Sequence, residues 1–147
     1  MASRVGFYLA PGQPVERVLP LIARAALRQG QRLLVVAGDA ELLDRIGGAL
    51  WDNAPAEFLA NGRADGAHAA HQPVLLSQAC AAENGAQVVA LADGEWRDAA
   101  EAFDRALLFF DEDGRAAARD VWRRFDGRDD IEREFHELEA GKWVRKR

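Results

Sequence analysis

Arg115, Arg119 and Arg123 recur at every fourth position, which on a helix stacks three guanidiniums along one stripe. Trp122 and Phe125 fall beside that stripe or just around from it. Guanidinium groups grip carboxylates with two parallel hydrogen bonds and lie flat on aromatic rings. An arginine row bordering an aromatic wall suits an acidic peptide that ends in an aromatic residue and a free carboxylate. The plainer reading is a solvated basic face, neutralised by Asp120, Asp126 and the acids of the next segment. Composition alone favours that reading, because charged helix faces are usually only that.

Other candidate chemistry is thinner. Trp51 and Phe58, separated by a turn containing Pro55, read either as residues at the edge of the core or as an aromatic patch awaiting a partner. His68, His71 and Cys80 match no zinc spacing and straddle a loop and a strand, so they read as incidental. Asp39 weakly resembles the acidic strand end that holds a ribose, but it stands where a helix N-cap belongs. The first strand-to-helix loop, Leu9 to Pro14, has neither G-x-x-x-x-G-K-[ST] nor G-x-G-x-x-G, and its prolines remove N–H groups that a phosphate would use. No G-x-S-x-G elbow is present. The sequence offers no seat for catalysis, a cofactor or a metal.

These residues need a scaffold, and Gln31 to Trp51 shows its plan. Leu33 to Ala37 is an unbroken apolar run, the mark of a strand buried on both faces in a parallel sheet. Gly38-Asp39 turns the chain, and Leu42, Leu43, Ile46 and Leu50 then recur at helical spacing. Similar strands are expected over Val5–Leu9, Val74–Ser77, Gln87–Ala92 and Ala106–Phe110. A helix after Pro14 should close at Gly30. Further helices are expected at Glu95–Phe103, Arg115–Phe125 and Ile131–Ala140, with Asn61–Gln72 as an exposed, mobile loop and a tail from Gly141 to Arg147. Strands alternating with helices predict an α/β, Rossmann-like domain over residues 1–147, its mainly parallel twisted sheet covered on both faces and lacking a nucleotide-binding loop.

The formal net charge of −5 argues against a general nucleic-acid coat, leaving only weak nonspecific contact for Arg145-Lys146-Arg147. No apolar run approaches the roughly 20 residues that cross a bilayer, and the start carries no signal-peptide pattern. A single cysteine, Cys80, makes the cytoplasm the expected setting.

Taken in order, Phe7-Tyr8-Leu9, the stretch Arg32 to Trp51, Ala56-Glu57-Phe58, Phe109 to Asp113, Ala118 to Arg123 and Lys142-Trp143 resemble the chi subunit of bacterial DNA polymerase III. The resemblance covers most of the chain, although Asn61–His71 is richer in Ala and Gly, and Ile131–Ala140 more acidic, than in relatives. It implies a non-catalytic accessory subunit of the polymerase holoenzyme that links the clamp-loader complex to the single-stranded-DNA-binding protein. The link is a grip on that protein's acidic C-terminal tail, and the matching residues are Arg115, Arg119, Trp122 and Arg123. Loss of Arg119 or Arg123 is then expected to weaken tail binding. The resemblance also implies a psi subunit meeting the segment around Trp51 and Phe58, with DNA engaged only indirectly. The competing expectation is a nucleotide- or S-adenosylmethionine-dependent enzyme on the same sheet.

Overall fold

The computed structural model describes residues 4–52 and 61–147. Eight strands form one sheet: β1 (Arg4–Leu9), β2 (Leu33–Val36), β3 (Asn61–Arg63), β4 (Val74–Ser77), β5 (Val88–Leu91), β6 (Arg105–Phe110), β7 (Glu132–Glu139) and β8 (Lys142–Arg145). Their order across the sheet is β3-β4-β2-β5-β6-β1-β7-β8, and every neighbouring pair is parallel except the β7–β8 hairpin. Helices α1 (Val15–Arg28), α2 (Ala40–Asp52) and α3 (Arg115–Arg124) complete the α/β, Rossmann-like fold.

The apolar runs behave as strands buried on both faces must. Alternate residues of β2 go to opposite sides: Leu33 and Val35 join Leu19, Leu43 and Ile46 of α1 and α2, while Leu34 and Val36 join the layer that holds Val121 and Phe125. Truncating one of these fully buried leucines to Ala would cost about 2–5 kcal/mol. Asp39 caps α2 as expected, its Oδ1 accepting from the Glu41 N–H at 2.9 Å. Gly30 follows α1 at a φ of +73°, where a side chain would be strained. Gly47 lets α2 press on the sheet, since a Cβ there would stand 3.1 Å from Leu76 Cδ1 and 3.3 Å from Asn61 Oδ1.

Three expectations need correction. Residues 131–140 are not a helix: β7 runs through them and β8 through the presumed tail. One side of β1 is paired to β6, and its other row of backbone groups, deep in the protein, needs a partner that only another strand can supply. That demand outweighs the helix preference of a Glu- and Arg-rich segment. Ala140 and Gly141, at φ +50° and +78°, make the two-residue turn that joins the hairpin. Next, Glu95–Phe103 holds only a 3₁₀ turn at Asp98–Ala102, with Phe103 buried. Finally, Asn61–Gln72 is not all loop, because Asn61–Arg63 pairs with β4 as the sheet's edge and Ala69–His71 forms a 3₁₀ turn. Pro55 and Phe58 lie outside the described residues.

A groove beneath the third helix

Asp111 starts the approach to α3. Its side chain accepts from the Gly114 N–H at 3.0 Å and tightens the turn over Glu112–Gly114. Ala118, Val121 and Phe125 face the sheet and are buried. Arg119, Asp120 and Arg123 face water, and Arg115 and Trp122 lie half-buried at the boundary. At about 100° per residue, Arg115, Arg119 and Trp122 fall within about 60° of one another round the helix, and Arg123 about 40° beyond Arg119.

The inner edge of that stripe borders a groove of about 270 Å³. Phe7, Phe110, Phe135 and Ala118 line it together with Trp122. Phe7 meets Trp122 edge-on at 5.0 Å between ring centres, and Phe110 meets Phe135 at 6.3 Å. Trp122 is held from outside as well. The Arg133 guanidinium lies 4.8 Å from its ring centre and donates to the Trp122 carbonyl and to Asp126 Oδ1, each at 2.7 Å. The wall is therefore positioned before any ligand arrives.

Arg115, Arg119, Lys146 and Arg147 supply the charge, and no acid lines the groove. Arg115 is partly committed, to Glu112 at 3.6 Å and Glu137 at 3.7 Å. Lys146 pairs with Glu139 at 2.6 Å, which holds its ammonium pKa above the ordinary lysine value. Arg119 and Arg147 have no ion pair among the described residues. Such a groove can receive an apolar side chain on its floor and a carboxylate at its rim.

Of the residues singled out in the sequence, the fold brings Arg115, Arg119 and Trp122 into this groove. Arg123 stands outside it on the exposed flank, 4.0 Å from Asp120. Trp51 is 48 % exposed near the end of α2, on the face of the sheet opposite α3. His68 and His71 are exposed, and Cys80 is half-buried after β4 with its thiol pKa pushed up by burial. Phe7, Phe110, Phe135, Lys146 and Arg147 were not anticipated at the site. The one local signal was Gly141, which suits a tight turn as well as a helix end.

A larger crevice of about 550 Å³ opens beyond the carboxyl ends of β1, β2, β5 and β6, where Rossmann-like folds take their ligands. Asp39, Asp93, Glu95 and Asp111 line it, with no Lys or Arg. Burial alone would raise the Asp93 pKa. Hydrogen bonds from Arg97 at 2.8 and 2.9 Å, and from the Gly38 and Glu95 N–H groups, outweigh it and hold the carboxyl below its ordinary range.

On the α1 side of the hairpin, Glu134 is buried. It accepts from Arg4 and makes a 3.2 Å contact with His136, and these bonds depress its pKa against the opposing effect of burial. His136 stacks on Tyr8 at 4.6 Å, and Arg105 donates to the Tyr8 hydroxyl at 2.9 Å. This cluster fastens β7 to β1.

Fold and site together define a Rossmann-like α/β protein whose cationic, aromatic-floored groove lies on the flank of the sheet, away from the strand ends. The sequence model of the family "DNA polymerase III chi subunit, HolC" matches residues 2–130, and the chain belongs to that family. It is thus a DNA polymerase III subunit, and DNA replication is its setting. No curated protein matches the chain. The family match includes α3 and stops before β7 and β8. Among the described residues, no helix is long and apolar enough to cross a membrane.

Proposed function

We propose that this chain is a non-catalytic, cytoplasmic adaptor that links the polymerase III clamp-loader complex to the single-stranded-DNA-binding protein. It does so by gripping that protein's acidic C-terminal tail, with Arg115, Arg119 and Trp122 as the contacts on α3 and Arg123 as an outlying charge. The observation that carries this reading is four cations, with no acid, around an aromatic floor. An acidic tail meets a favourable local field there even though the whole chain has a net charge of −5. The psi subunit is proposed to meet the segment of Trp51 and Phe58, of which Trp51 lies on the face of the sheet opposite the groove.

Binding of an acidic, Phe-terminated peptide should be micromolar, about −8 kcal/mol. It should weaken as added salt screens the rim. Titration calorimetry at two salt concentrations tests both statements. No measurable binding at low salt would overturn the reading. The competing enzyme reading is disfavoured by the carboxylates of the crevice, which repel the phosphates of a nucleotide.

A further inference from the structure

Lys146 and Arg147 enter the groove through a specific irregularity of the hairpin. β8 stays in register with β7 up to the pair His136–Arg145. Beyond it, Phe135 faces two residues at once: its carbonyl accepts from the Lys146 N–H at 2.7 Å and from the Arg147 N–H at 3.4 Å. Two residues opposed to one, sharing one carbonyl, is a β-bulge.

The bulge matters because strand side chains alternate. Trp143 packs in the α1-side core, and Arg145 pairs with Glu132 and with Glu134 on that same side. Strict alternation would put Lys146 on the α3 side and return Arg147 to the α1 side. Instead both residues line the groove beneath α3. The bulge thus doubles the charge that the hairpin brings to the groove.

We propose that Lys146 and Arg147, set by this bulge, form the second jaw of the anion site, facing Arg115 and Arg119. They bind the carboxylates of an acidic peptide whose apolar side chain rests on Phe7, Phe110 and Phe135. This rests on the proposed reading of the groove as a tail site. It adds a second recognition element, from a part of the chain beyond the family match. Glu139 is the internal competitor, since its carboxylate holds the Lys146 ammonium at 2.6 Å.

The test is the affinity of an acidic, Phe-terminated peptide for the full chain and five variants, Arg119→Ala, Lys146→Ala, the double variant Lys146→Ala/Arg147→Ala, Glu139→Gln and Lys146→Glu. Thermal melting confirms that each is folded. The double variant should weaken binding roughly 10-fold or more, as loss of charge-assisted bonds does. It should also flatten the dependence of affinity on salt. Lys146→Glu should weaken binding further than Lys146→Ala does, and Glu139→Gln should bind as well as the parent or more tightly. If Arg119→Ala weakens binding while the double variant binds like the parent, the second jaw is refuted and the tail site stands. If Glu139→Gln weakens binding as much as loss of Lys146, the pair is a brace for the hairpin and the inference falls. A parent chain that does not bind the peptide overturns the tail site and the second jaw together.

Discussion

The crevice at the strand ends and the groove beneath α3 are both open depressions on the same sheet, and the larger of them has the wrong charge for this fold's usual ligands. Asp39, Asp93, Glu95 and Asp111 line the crevice without a cation, whereas Arg115, Arg119, Lys146 and Arg147 line the groove without an acid. Three of the crevice acids are also committed to the backbone. Asp39 caps α2, Asp111 closes the turn before α3, and Asp93 binds Arg97 and two N–H groups. In the groove, Arg119 and Arg147 are uncommitted among the described residues. Position in a fold therefore does not mark a binding site by itself; spare charge and its sign are what support the proposed one.

The sharpest way to break this contrast is Arg119→Ala. It should weaken binding of the acidic peptide by about 1.5–3 kcal/mol, the range for a hydrogen bond to a charged group, without lowering stability. Calorimetry paired with thermal melting reads both quantities, and unchanged affinity would remove the groove's claim to be the tail site.

Asp93→Asn probes the other depression and should do the reverse. Stability should fall by about 1–2 kcal/mol, because Arg97 and the N–H groups lose an ionised acceptor, while peptide affinity stays put. Asp93 has a folded-state pKa below its ordinary value near 3.8, so its contribution is full above that value and is lost as pH falls through the depressed one. Urea midpoints for the parent should drop as the pH falls below about 4, and the variant should drop less. Equal slopes would remove Asp93 as the cause.

Arg123→Ala sharpens the boundary of the groove. Its only ion pair among the described residues is the exposed 4.0 Å contact with Asp120, so its loss should change peptide affinity by less than about 0.5 kcal/mol. An effect as large as that of Arg119 would mean that the ligand crosses the outer face of α3. The smallest expected effect is from ATP, NAD or S-adenosylmethionine, none of which should move the melting temperature. A true cofactor at about 100 times its dissociation constant would add about 2.7 kcal/mol, a shift that would return the crevice to consideration.

How far the site was legible follows its two walls. Arg115, Arg119 and Trp122 could be placed together because helical spacing is a local property, and Ala118 and Val121 show which side must be buried. Lys146 and Arg147 could not be joined to them. The spacing of residues 131–147 carries no trace of the neighbour that turns them into strands, and local preference there points to a helix. Even with the hairpin known, alternation would have sent Arg147 to the other face.

The sequence by itself determined the interior: apolar runs such as Leu33–Val36 and Ala106–Leu108 have no stable place except a sheet covered on both sides, and Asp39 marks a helix start through its own side-chain oxygen. Only the tertiary structure decided the edge. β1 left one row of backbone groups to be paired, a charged segment was drawn in as β7 to satisfy it, and the bulge opposite Phe135 set two further cations beside the arginines of α3. Burial of apolar side chains is encoded residue by residue, but backbone hydrogen bonding between distant segments depends on what lies next to them in space.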